Sequence, residues 1–151
     1  MKAEELLNII KDEIKDYPID YLKNKASDDR YPDSATKRLA RYNSEIYDEI
    51  FSLKLDENFT VNDSVVENLK KDIDLYFDKY GGDDDLRNFT KYISLYLVLI
   101  AKKPLHPFSE DKTYDVQFLN GSYYCKGRIK YIRDENSLCR YCVCKNMGFW
   151  Y

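Results

Sequence analysis

No cysteine precedes position 125, and the 151-residue chain holds one histidine, one tryptophan, two methionines, four prolines and five glycines. A single histidine, His106, excludes the H-E-x-x-H zinc-protease pattern. G-x-S-x-G and G-x-x-x-x-G-K-[ST] are also missing, which removes the sequence signs of serine hydrolysis and of phosphate cradling. No catalytic residue is nominated, and the sequence does not decide whether the chain is an enzyme. Long apolar runs are lacking too. The longest, Ile93 to Ala101, is interrupted by Ser94 and falls short of the roughly 20 residues that cross a bilayer, so no membrane span is expected. Neither sign of charge is in large excess, with 24 basic and 27 acidic residues, and nothing suggests nucleic acid. The start, Met1-Lys2-Ala3-Glu4-Glu5, leads directly into an amphipathic pattern without an apolar signal core, so a cytoplasmic protein is expected.

Apolar residues at 44% and charged residues at 34% fit one globular domain, 1–151, able to bury a single core. Fifteen tyrosines, alongside abundant Lys, Asn, Ile and Asp, match the output of AT-rich codons and need no aromatic binding surface to explain them. The expected fold is mainly α: a bundle of about four main helices over 1–103, then a β-hairpin and a cysteine-rich module over 104–151.

Leu6, Leu7, Ile10, Ile14 and Tyr17 recur at helical spacing until Pro18 stops them. Residues 20 to 34 read as a polar connector whose Asp33 or Ser34 caps a second helix with the stripe Leu39, Tyr42, Ile46, Ile50 and Leu53. Ser64 and Glu67 fit a capping box ahead of Val66, Leu69, Ile73, Phe77 and Tyr80, and Gly81-Gly82 ends that third helix. Asp83-Asp84-Asp85 suits the positive start of a fourth helix better than a metal site, because no further oxygen ligands stand at set offsets. That helix carries Leu86, Phe89, Ile93, Leu97 and Ile100, and its second half is apolar nearly all round, as a central helix should be. Pro104 and Pro107 close the helical part. Asn120-Gly121, between Tyr114–Leu119 and Ser122–Cys125, predicts a type I′ hairpin.

All four cysteines fall in the last 27 residues: Cys125 at the hairpin's end, then Cys139, Cys142 and Cys144. C-x2-C lets one tight turn present two sulfurs to one ion, and C-x-C in extended chain points both to one face. The hairpin is expected to bring Cys125 to them. Four thiolates suit tetrahedral zinc or an iron–sulfur cluster, and redox-active thiols or plain structural cysteines are the further readings. His106 is a candidate ligand or hydrogen-bond donor to sulfur, or else a helix-end cap. Lys126, Arg128, Lys130, Arg133, Arg140 and Lys145 surround the cluster and favour thiolate, although solvated surface explains most of them. Met147-Gly148-Phe149-Trp150-Tyr151 is apolar enough to pack on its own core or on a partner.

Several segments together resemble the archaeal family of methanogens known as domain of unknown function 2115: Tyr92-Ile93-Ser94-Leu95-Tyr96-Leu97, Lys103-Pro104-Leu105-His106-Pro107, Tyr123-Tyr124-Cys125 and Leu138-Cys139-Arg140-Tyr141-Cys142-Val143-Cys144-Lys145. The likeness is specific over about residues 86 to 146. It implies an anaerobic cytoplasm, which favours iron–sulfur over disulfide, and it implies no known activity. The family pattern has Pro-Val-Lys after the cysteine matching Cys125, where this chain has Lys126-Gly127-Arg128, and often alanine at the position of Cys144. Cys125, Cys139, Cys142 and His106 therefore form a second candidate ligand set. The expected function is an uncharacterised metal-binding protein whose cysteine cluster holds a structural zinc and supports binding of a protein partner. The alternative is an iron–sulfur redox or cofactor-assembly protein.

Overall fold

Apolar stripes at helical spacing organise the first two thirds of the computed structural model, which describes residues 1–30, 32, 34–109, 114–127 and 137–146. Helix α1, Ala3–Ile14, buries Leu6, Leu7, Ile10 and Ile14, the stripe read from the sequence. Pro18 ends that run but also sits at the N-cap of α2, Ile19–Ala26, where a polar connector was expected. Proline is tolerated there because the first turn of a helix leaves its N–H groups unbonded in any case. Eight residues are too few for periodicity to outweigh a polar composition, and tertiary contacts make this helix. Ala26 is buried, Ile19 and Leu22 pack on the core, and Lys23 Nζ meets Asp48 Oδ1 of α3 at 3.0 Å.

Helix α3, Ala35–Ser52, is capped by Ser34, whose Oγ accepts from the Lys37 N–H at 3.2 Å, while Asp33 lies outside the described residues. Helix α4, Asp63–Tyr80, starts two residues earlier than its capping-box signal implies. Asn62 Oδ1 accepts from the Ser64 and Val65 N–H groups at 2.9 and 3.3 Å and so replaces Ser64 as the cap. Gly81 (φ +81°) stops the helix. Gly82 follows with φ +136°, where a Cβ would lie 2.6 Å from Phe77 Cδ1, so this second position excludes any side chain.

Helix α5, Asp84–Leu95, is capped by Asp83, whose Oδ1 accepts from the Leu86 N–H at 2.7 Å, as the acidic run suggested. The central helix does not continue as α. Residues Tyr96–Ala101 wind into a π-helix, and Lys102 (φ +53°) turns left-handed out of it. Glu49 of α3 secures both ends of this wider segment. Its carboxylate accepts from Tyr96 Oη at 2.6 Å and from Lys103 Nζ. Leu95, Tyr96 and Leu97 are almost fully buried and join the stripes of α1, α3 and α4 in one core.

The C-terminal third carries a small sheet, β1 (Phe108–Ser109), β2 (Val116–Leu119), β3 (Ser122–Cys125) and β4 (Lys145–Asn146), ordered β1-β2-β3-β4. The predicted hairpin is β2 and β3, antiparallel from Val116↔Cys125 to Leu119↔Ser122, and Asn120 and Gly121 have φ of +51° and +79° as a type I′ turn requires. Two strands of two residues add parallel pairs on either side. The pairing that matters for the cysteines is β3 with β4, where Cys125 is in register with Asn146.

Candidate metal centre

Backbone pairing brings the two cysteine-bearing segments together. Cys125 closes β3, and Cys144 immediately precedes β4, the strand hydrogen-bonded to β3. Between them Leu138–Tyr141 forms a tight turn, with the Tyr141 N–H on Leu138 O at 3.0 Å and the Cys142 N–H on Cys139 O at 3.2 Å. This is the local geometry anticipated for C-x2-C. Along C-x-C, Val143 faces outward at 39% exposure while Cys144 is buried, as alternation in extended chain demands.

The turn is fastened to the helical body by one carboxylate. Asp72 of α4 accepts from both Arg140 and Tyr141. Burial acts to raise the Asp72 carboxyl, but these two donors outweigh it and hold the group below the ordinary carboxylate range. On the other side Tyr42 Oη donates to Pro104 O at 2.6 Å and fixes the segment that carries Leu105 and His106. Cys142 is the focus of what results. Its thiol is drawn down to about 6, first by the hydrogen bond with the Cys144 side chain, then, against the opposing effect of burial, by the backbone N–H groups of Cys144 and Leu105 and by His106.

All four cysteines and His106 line a single cavity of about 410 Å³, closed on its other side by α3, α4, α5 and the π-helix. Every ligand candidate nominated from the sequence thus borders the same cavity, with His106 exposed. All four cysteines are thiols rather than disulfides. Among the described residues, no group of three or more His, Cys, Asp or Glu side chains stands in a ready metal-holding arrangement. Of the surrounding bases, Arg140 is paired with Asp72, and Lys145 Nζ donates to Ser122 Oγ at 3.1 Å. Arg128, Lys130 and Arg133 lie outside the described residues, as does the apolar end, Met147–Tyr151.

Sequence reading missed two parts of this site. The Asp72 clip joins positions 68 and 69 residues apart and leaves no local signal. The polar residues of the helical wall, Asn43, Thr90 and Ser94, also went unnominated, although Ser94 had been noticed as the break in an otherwise apolar run.

No solved structure gives a significant match to this chain. Among known sequences, the UPF0305 protein of Methanocaldococcus jannaschii is 30% identical over 97% of this chain and 98% of its own length. A UPF0305 protein of Methanococcus maripaludis strain C5 is 31% identical over 61% of this chain and 57% of its own length. The family model described as an uncharacterised protein conserved in archaea, DUF2115, matches residues 2–147, and the chain belongs to that family.

Proposed function

We propose that this chain is a metal-binding protein in which Cys125, Cys139, Cys142 and Cys144 hold one structural zinc ion that ties the sheet and the cysteine turn to the helical body. The observation that carries this reading is that all four thiols, from two segments joined by β3–β4 pairing, line one cavity. Zinc takes four thiolates tetrahedrally at roughly 2.3 Å and requires them deprotonated, and Cys142 is predisposed to that state. Zinc binding would organise the sulfurs, so that coordination and the final packing of the module occur together. His106 is the replacement ligand should Cys144 stay with the core, where it is 3% exposed. The surface so formed is offered to a protein partner, and a reducing cytoplasm is the compartment that would keep the thiols available to the ion.

A second reading is an iron–sulfur cluster serving redox chemistry or cofactor assembly. It is favoured by the apolar backing of the sulfurs, Ile93, Leu97, Leu105 and Val116, since burial of that kind shields a cluster and tunes its potential. Elemental analysis of protein purified without oxygen separates the two. Near-stoichiometric zinc in a colourless sample, lost on replacing Cys139 or Cys142 with serine, is the expected result. Iron with sulfide and a brown colour would establish the alternative, and a sample free of both metals would end the proposal. Replacing Cys144 and His106 singly identifies the fourth ligand.

A further inference from the structure

The helical wall of the same cavity carries polar groups that the protein itself leaves unused. Ser94 is 6% exposed, faces the cavity, and its hydroxyl makes no hydrogen bond among the described residues. Ser44 and Ser52 of α3, and Ser27 at the C-cap of α2, instead donate back to a carbonyl of the preceding turn, at 2.8, 3.1 and 3.0 Å. Thr90, one turn before Ser94 on the same face of α5, and Asn43 of α3 also line the cavity and also have no side-chain partner among the described residues. Ser94 is buried and Asn43 and Thr90 are half-buried, so the three offer open hydrogen-bonding capacity to a molecule that enters the cavity.

The remaining lining defines the chemistry of that something. Ile73, Phe77, Phe89 and Ile93 make the wall apolar, and no Lys, Arg, Asp or Glu lines the cavity among the described residues. Away from His106 at the exposed edge, a carboxylate or phosphate would meet no cationic side chain and would face the electron-rich sulfurs. A volume of about 410 Å³ lies within the range of small-molecule sites. Asn43 presents a donor and an acceptor side by side, and the two hydroxyls serve as either.

We infer that this cavity binds an uncharged, mainly apolar small molecule whose amide- or lactam-type edge is read by Asn43, Thr90 and Ser94. The assignment stands on the helical wall and is independent of which metal the cysteines hold.

Calorimetric titration of the full chain, purified without oxygen, with 2-quinolone and with 1-naphthamide as neutral probes tests it. At least one probe should bind with a Kd of about 1 mM or tighter, with quinoline-2-carboxylate weaker by about tenfold or more. Ser94→Ala combined with Thr90→Val, or Asn43→Ala alone should the pair disturb folding, should weaken the neutral probe about fivefold or more. Absence of binding by both neutral probes, equal binding of the carboxylate, or indifference to the variants would overturn the inference. Metal content measured on the same samples keeps the two proposals apart, because binding without zinc supports this one and sinks only the metal reading.

Discussion

The helical body and the cysteine module are built by different means. In the body, α1, α3, α4, α5 and the π-helix contribute side chains such as Ile10, Ile50, Leu69 and Leu95, all 0% exposed, to one continuous core. In the module the strands are two to four residues long, and most of the described side chains are only half-buried. Its attachment combines the packing of Leu105, Phe108, Leu138 and Tyr141 on that core with a few polar contacts, chiefly Asp72 with Arg140 and Tyr141, and Tyr42 with Pro104. Burial of apolar area is distributed and tolerant of small changes, whereas a few hydrogen bonds fail one at a time. The body is therefore expected to stand without the module, and the module to depend on the body and on a crosslink.

That contrast can be broken most forcefully from the body's side. Leu69→Ala removes a fully buried side chain from the core and should cost about 2–5 kcal/mol, read as a lower urea midpoint for the whole chain. Loss of the module alone, with the helices unaffected, would reverse the hierarchy. Chelation of the proposed zinc should do what the core mutation does not. Hydrogen-exchange protection should fall at residues 122–125 and 139–146 and persist in α1, α4 and α5.

Asp72→Asn is a smaller intervention that keeps shape and removes charge. It should loosen the cysteine turn by about 1–3 kcal/mol, seen as faster exchange at Tyr141 and Cys142 with little change in the urea midpoint. The same carboxylate makes a pH prediction. Its folded value lies below that of the unfolded chain, so its contribution is complete above the unfolded value of about 3.9 and is lost as pH falls through the folded one. Turn amides should gain exchange in acid beyond the intrinsic rate, and Asp72→Asn should abolish that step. The mildest test returns to the helices, where Asn62→Ala should remove about 1 kcal/mol from the start of α4, measurable by denaturant titration.

Legibility in the sequence follows the same division. The stripes of α1, α3, α4 and α5 and the Asn120-Gly121 turn are local patterns, and each appears where periodicity or turn chemistry placed it. Helix α2 escaped because its apolar contacts with the core are made at a distance. The strands β1 and β4 escaped because two residues carry no period, and partners elsewhere in the chain define them. For the site, clustering and spacing singled out the cysteines, and His106 was nominated as the single histidine at the exit of the last helix; all five line one cavity. It was silent about Asp72, Asn43, Thr90 and Ser94, whose roles exist only once distant segments meet.

The winding of Tyr96–Ala101 sets the aim of everything after it. Each residue of an α-helix turns the chain by about 100° and each residue of the wider π-turn by less, so rewinding these six residues as ordinary α-helix without shortening them would swing Leu105 and His106 around the axis, away from Cys142. Glu49 would then lose the spacing by which it grips Tyr96 and Lys103 together. The wide turn thus acts as a phase adjuster between bundle and sulfurs, and its length in residues, more than the identity of any one of them, keeps the two in register.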